Sequence, residues 1–435
     1  MNFAQAARGA VVILAGIAST AALAEPAASP TAVNGGDTAW IITASALVLF
    51  MTLPGLALFY GGLVRQKNFL SVLMHCFAIT AIASILWIGV GYSLAFAPGN
   101  GFIGNISQFG LAGLADVRAA TAVPESVFAL FQLTFAVITP ALFIGAFVER
   151  VRFGWLITFS AGWVLLVYVP VAHWLWGGGW LAQRGALDFA GGIVVHTTAG
   201  ITALLTAMMV GKRQGFPQHL MLPHSPALTL AGAGMLWVGW FGFNGGSALG
   251  ANAAAGNAIL ATHCGASAAA LVWIVLERFK VGKPTTIGIA TGAIAGLATV
   301  TPAAGFIGIG GALFLGALGS FVCFYAVQMI RFKLHIDDSL DVFAVHGVGG
   351  ITGSLMLAIL MSQSLGGVGY ADGVTMASQL GNQALAVAAV ALWSAAASAL
   401  LGYGINLILP MRVSGEEERD GLDLSSHGER AWDMD

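Results

Sequence analysis

"DSLDVFAVHGVGGIT", Asp338–Thr352, repeats the plan of "DFAGGIVVHTTAGIT", Asp188–Thr202. Each reads Asp, seven residues, His, three residues, Gly-Ile-Thr. The surrounding chain has 435 residues, 58% hydrophobic and only 8% charged. A soluble domain carries about 25% charged residues. So few charges cannot cover a surface facing water, and the main solvent must be lipid. The 59 glycines, about twice the usual share, suit helices that pack closely in a bilayer. The two repeated stretches therefore read as helix starts within a membrane protein.

A bilayer is crossed by about 20 apolar helical residues. Eleven segments qualify: 39–62, 69–96, 126–148, 153–176, 191–210, 226–247, 255–277, 285–303, 306–330, 342–363 and 383–409. Ahead of them, Arg8 precedes the apolar run Ala10–Ala18, and Ala24 is followed by Glu25-Pro26. This is the layout of a signal peptide over 1–24, cleaved after Ala24; a short first membrane helix is the alternative. The transmembrane domain is expected over 38–410 and a tail over 411–435.

Charge fixes the orientation. With the mature N-terminus outside, only Arg118 and Arg184 of the 17 lysines and arginines fall outside, and Arg8 lies in the leader. All the others fall inside. By the positive-inside rule this predicts N-out, C-in and an odd number of helices, with a bacterial inner membrane as the location. The fifth and tenth helices then run in opposite directions, as an inverted repeat requires. Two further echoes fit a 5+5 arrangement. Gly55-x3-Phe59-x-Gly61-Gly62 in the first helix matches Gly239-x3-Phe243-x-Gly245-Gly246 in the sixth. Ala136-x2-Thr139-Pro140-Ala141 in the third matches Ala298-x2-Thr301-Pro302-Ala303 in the eighth. The fold class is thus an all-α membrane protein: five plus five inverted helices and a final long one.

Eight helical residues rise about 12 Å, in a hydrocarbon core about 30 Å thick. His196 and His346 therefore reach the midplane from opposite faces and can touch. Neutral imidazoles can line a pore, since one nitrogen donates and the other accepts. Two nitrogens with no cysteine or carboxylate beside them are too few for a metal, and no cofactor is expected. His75, His173 and His263 read as packing residues. Asp188 and Asp338 read as helix caps, although an ionisable group at membrane depth usually marks a pathway. Phe135, Trp240, Phe243 and Trp176 are either packing or a cation–π cup, to which Ser247 could add a hydroxyl. Cys76, Cys264 and Cys323 lie in apolar runs and suggest neither disulfides nor a metal site. A net charge of −2 with no basic domain points away from nucleic acid.

"DFAGGIVVH", "FGFNGGSALGAN", "GAFVERVRF", "AHWLWGGGW" and "DVFAVHGVGG" resemble the ammonium transporter family, the Amt/Mep/Rh proteins, and the Amt branch in particular. The similarity spans about residues 38 to 433. It implies a homotrimer with one pore per subunit. It also implies an outer ammonium site from Phe135, Trp176 and Ser247, with Ala190 beside it through its backbone. In the resemblance Phe135 and Phe243 are the stacked rings that block the pore, and Trp240 lines it. His196 and His346 are the twin histidines, Asp188 the essential acid, and Gln132 a polar residue near the outer mouth. The tail "GLDLSSHGERAW" resembles the family's cytoplasmic tail and implies control by a cytoplasmic PII signalling protein.

The function expected is capture of ammonium (methylammonium is a possible analogue), deprotonation, passage of ammonia, and return of the proton inside, with net charge movement. The alternative is an ammonium sensor of the same fold. Neither His-Glu-x-x-His nor Gly-x-Ser-x-Gly occurs, so hydrolase machinery is not visible. A pore for another neutral solute would leave the aromatic cup without a purpose.

Overall fold

The computed structural model describes residues 32–219 and 221–432. The leader expected at 1–24 lies outside them. Among the described residues there are no strands, only two isolated bridges, Gly99 with Gly104 and Val151 with Arg412. The architecture is a bundle of long apolar helices: α1 Gly35–Leu63, α2 Gln66–Phe96, α3 Glu125–Ala146, α4 Phe153–Gln183, α5 Gly192–Val210, α6 Pro226–Gly246, α7 Ala253–Lys280, α8 Thr286–Val300, α9 Ile309–Lys333, α10 Phe343–Leu360 and α11 Met376–Asn406. Ten of these are long and apolar enough to cross a membrane. The exception is α8, at 15 residues, whose predicted span ran to residue 303. Thr301 and Pro302 end it early, and the chain turns through 301–306 before α9. Proline cannot donate to the helix ladder, so the sequence breaks there.

The predicted start of α11 also shifts. It begins at Met376, seven residues before the expected 383, with Thr375 and Ser378 forming a reciprocal cap. The added turns place Gln379 and Gln383 where their amides bond Gly185 and Leu187, the loop leading into α5.

The repeat is visible in the helix crossings. An ideal Cβ on Gly200 would lie 2.2 Å from the Gly347 Cα, and one on Gly350 would lie 2.6 Å from the Gly192 oxygen. Positions 192 and 200 thus meet 350 and 347 in reversed order, so α5 and α10 run antiparallel. Helices α1 and α6 behave alike: Gly239 abuts Met51, Gly55 abuts Leu236 and Gly232 abuts Phe59. Both histidine stretches are wound as wider π-helical turns, Gly192–Thr197 and Phe343–Gly347. Such turns are rare and tend to occur at functional sites.

At the end of the bundle bearing the tail, a buried charge network ties the loops together. Arg213 pairs with Glu149 at 3.0 Å and with Asp337 at 2.8 Å. Burial is the largest influence and would raise the Glu149 and Asp337 carboxyls, but the Arg213 charge, the hydrogen bonds and a second arginine near each, Arg65 for Glu149 and Arg150 for Asp337, together outweigh it and hold both below the ordinary carboxylate range. The tail itself folds against this end as α12 Gly415–Asp420 and α13 Leu422–His427. Glu418 bonds the Gln214 amide and Arg412, while Asp423 accepts from the Leu70 and Ser71 amides.

Candidate functional site

Two cavities face each other through the bundle. One, of about 350 Å³, lies at the Trp176 end and is lined by Gln132, Phe135, Trp176 and Ser247, among others. The second, of about 300 Å³, lies at the tail end and is lined by Phe59, Tyr60, Leu222, Asp341 and His346. Between them is a constriction of about 10 Å³. Its wall is Met51, Leu56, Phe59, Ile138, Leu142, Leu236, Trp240, Phe243 and Ile294, interrupted only by His196 and His346.

The two imidazoles are in direct contact. Nδ1 of His196 lies 3.3 Å from Nδ1 of His346, with ring centroids 5.2 Å apart and planes 24° apart. Each comes from its own π-helical turn, so the duplicated stretch is what delivers a nitrogen from each side. One Nδ1 must carry the proton and the other accept it. The His196 ring also stacks on Trp240 and Phe243, at 5.6 and 6.0 Å. The His196 Nε2 has no hydrogen-bond partner in the structure, although it is buried.

Above this pair the aromatics close the path. Phe135 and Phe243 have centroids 4.5 Å apart, and Trp176 meets Phe135 edge-on at 5.6 Å. The Trp176 indole donates to the Asp188 carbonyl at 2.8 Å, which fixes its orientation. The Ser247 hydroxyl donates to the Phe243 carbonyl at 2.8 Å, leaving its lone pairs free to accept. The Gln132 Oε1 is buried without a partner. Trp240 donates to the Thr301 hydroxyl at 2.8 Å, which links the third–eighth echo to the wall of the constriction.

Asp188 faces away from the cavity. Its Oδ1 accepts from the Gly191 and Gly192 amides, and its Oδ2 from those of Ile193 and Val194, all within 3.0 Å. Gly191 sits at φ +118°, a conformation glycine adopts without strain. That turn lets four amides converge on one carboxylate. Ala190 is fully buried beside it, and neither residue lines the cavity wall. Asp338 caps α10 in the same way, through the Val342 and Phe343 amides. His75, His173 and His263 stand off the path. His173, for example, faces the Ala95 and Asn100 carbonyls. Among the described residues no cluster of three or more His, Cys, Asp or Glu could hold a metal.

Phe59 was not singled out as a site residue, yet it lines both the constriction and the tail-end cavity. Its signal was present: in the first–sixth echo it is the counterpart of Phe243. Met51, Ile138 and Leu142 gave no signal, because an apolar residue on a pore wall looks like one in a core.

Comparison with known proteins decides the family. Residues 39–432 match the Ammonium Transporter Family. The chain belongs to the ammonium transporter family. It is 44% identical to an ammonium transporter of Aquifex aeolicus over 411 residues, covering 94% of this chain and 96% of that one. A Bacillus subtilis ammonium transporter is also 44% identical, over 91% of this chain and 98% of its own length. The crystal structure of Saccharomyces cerevisiae Mep2 superposes with a TM-score of 0.81 at 36% identity, covering 89% of this chain and 91% of that one. A structure described as a sensor Amt protein gives 0.85 at 30% identity, covering 90% and 98%. This ammonium transporter family member is therefore a multi-pass membrane protein whose relatives are named for transport.

Proposed function

We propose that the protein takes NH4+ at the Trp176 end, removes its proton and conducts NH3 past His196 and His346. The observation that carries this reading is the constriction: about 10 Å³, apolar except for two touching imidazoles. An ion in such a space loses its hydration and gains almost nothing, a penalty of tens of kcal/mol in the Born limit. Neutral ammonia faces only the loss of its hydrogen bonds. Potassium matches ammonium in size and charge but has no proton to give up, so acidity separates them.

The parts support each step. The Phe135 and Trp176 rings offer cation–π faces worth about 0.5–1 kcal/mol each when wet and about 2 or more when dry. The Ser247 oxygen and the unpartnered Gln132 Oε1 add acceptors. Asp188, locked on four amides, acts at a distance through its charge. The His pair can take a proton at one Nε2, pass the shared proton between the Nδ1 atoms and release another from the far Nε2. On this reading each ammonia is accompanied by charge.

The same reading makes the Trp176 end periplasmic and the tail cytoplasmic, with α8 as an eleventh crossing in an inner membrane. It includes cleavage of the leader, assembly as a homotrimer and control through the tail by a PII protein. The sensor Amt neighbour supports a second reading, in which ammonium occupancy is signalled and little passes.

The deciding experiment is an ammonium pulse on proteoliposomes, recording internal pH and current together. Ammonia uptake with an inward current is expected. Uptake without current would overturn the relay, and absence of both would favour the sensor.

A further inference from the structure

Arg118 is one of two basic residues expected at the outer face, and the structure puts it on the wall of the entrance cavity with Gln132, Phe135, Trp176 and Ser247. A cation on the wall of a cation entrance demands an explanation. Its Nη1 donates to the Glu125 Oε1 at 3.2 Å, and its Cζ lies 4.5 Å over the Phe128 ring and 5.4 Å over Phe96. Glu125, on the first turn of α3, also accepts from the Tyr92 hydroxyl, the Gln108 amide and the Ala115 backbone N–H. The Arg118 side chain is 19% exposed and that of Glu125 is 4% exposed.

We propose that Arg118 and Glu125 form a charge-balanced rim that sets the apparent affinity of the entrance for a small cation. This rests on the reading of that cavity as the ammonium entrance. The pair does two things. The guanidinium occupies the Phe96 and Phe128 faces, so an incoming cation is left the Phe135, Trp176 and Phe189 rings that also line the cavity. Glu125 cancels the repulsion that an unpaired Arg118 would exert across the same cavity. Removing either charge leaves the other uncompensated beside the cavity. At effective dielectric constants between those of a protein surface and water, two unit charges about 10 Å apart change occupancy by about two- to tenfold.

The test is the apparent KM and Vmax for ammonium in proteoliposomes, at low and high ionic strength. Arg118→Gln is expected to lower KM by about two- to tenfold and Glu125→Gln to raise it by about as much. Vmax should change less than KM in both, and both shifts should shrink in 1 M salt, where the screening length is about 3 Å. Arg118→Lys keeps the charge and loses the planar stack, so its KM should stay near wild type. A loop staple without electrostatic function would give KM shifts of the same sign in both Gln variants, insensitive to salt. That result, or an Arg118→Lys KM matching Arg118→Gln, would overturn the proposal while leaving the transport reading intact. Failure of the wild-type protein to transport ammonium would instead overturn the parent reading, and this inference with it.

Discussion

His196 and His346 touch through Nδ1 atoms in a wall otherwise apolar, so the proposed proton relay depends on two side chains that nothing nearby can replace. His196→Leu combined with His346→Leu keeps the bore filled and removes both imidazoles, the only groups on its wall that can both take up and release a proton. The ammonium current of this double variant should fall at least tenfold; an unchanged current would contradict the relay. Phe243→Ala makes a different prediction. It deletes a ring packed on both Phe135 and His196 and opens the constriction from above. A large-to-small change of this kind costs about 3–5 kcal/mol where the site cannot collapse. Thermal stability should drop, and a potassium current absent from the wild type should appear if water enters the widened bore. Most of these residues were legible as chemistry before they were legible as geometry. The histidines stood out because they were duplicated and polar in an oily chain, and the aromatics because a resemblance named them. Arg118 was counted only as an outside charge, since no spacing tells that a loop arginine folds back over the mouth.

Helices α5 and α10 bring the histidines together because their backbones come close enough to exclude side chains. Gly200 has no room for a Cβ, which would lie 2.2 Å from the Gly347 Cα. Gly200→Val must push the two helices apart. Overpacking typically destabilises by about 1–3 kcal/mol, and backbone facing backbone leaves no flexible neighbour to yield, so the upper end is expected. Thermal unfolding in detergent would measure it, and wild-type stability would contradict the crossing described. The antiparallel crossing of these helices was predictable from the repeated Asp-x7-His pattern and the loop charges together. Helix lengths were less so. The α8 end at Val300 and the early α11 start at Met376 depend on Pro302 and on a Thr375–Ser378 cap, local signals that a hydrophobic window averages away. The π-helical winding at both histidines had no sequence signal at all.

Arg213, Glu149 and Asp337 join three loops beneath the bundle, and the tail packs on the same surface through Glu418 and Asp423. Arg213→Ala would strand the Asp337 carboxylate away from water and leave Glu149 with Arg65 as its one ion-pair partner. Breaking a buried pair by removing one partner costs about 3–5 kcal/mol. The pH dependence follows from the depressed Asp337 and Glu149 carboxyls. Their contribution is present above the unfolded carboxylate range, about pH 4, and is lost as pH falls through the lower folded values. Wild-type unfolding temperature should therefore fall steeply below about pH 4, and the fall should flatten in Arg213→Ala. An equally steep fall in both would contradict the assignment.

For the molecule as a whole, the central claim is discrimination by acidity instead of size, and the most direct measurement is the current across proteoliposome membranes when ammonium or potassium is supplied at equal concentration. The account predicts an inward current with ammonium and none with potassium. A potassium current of similar size would contradict it.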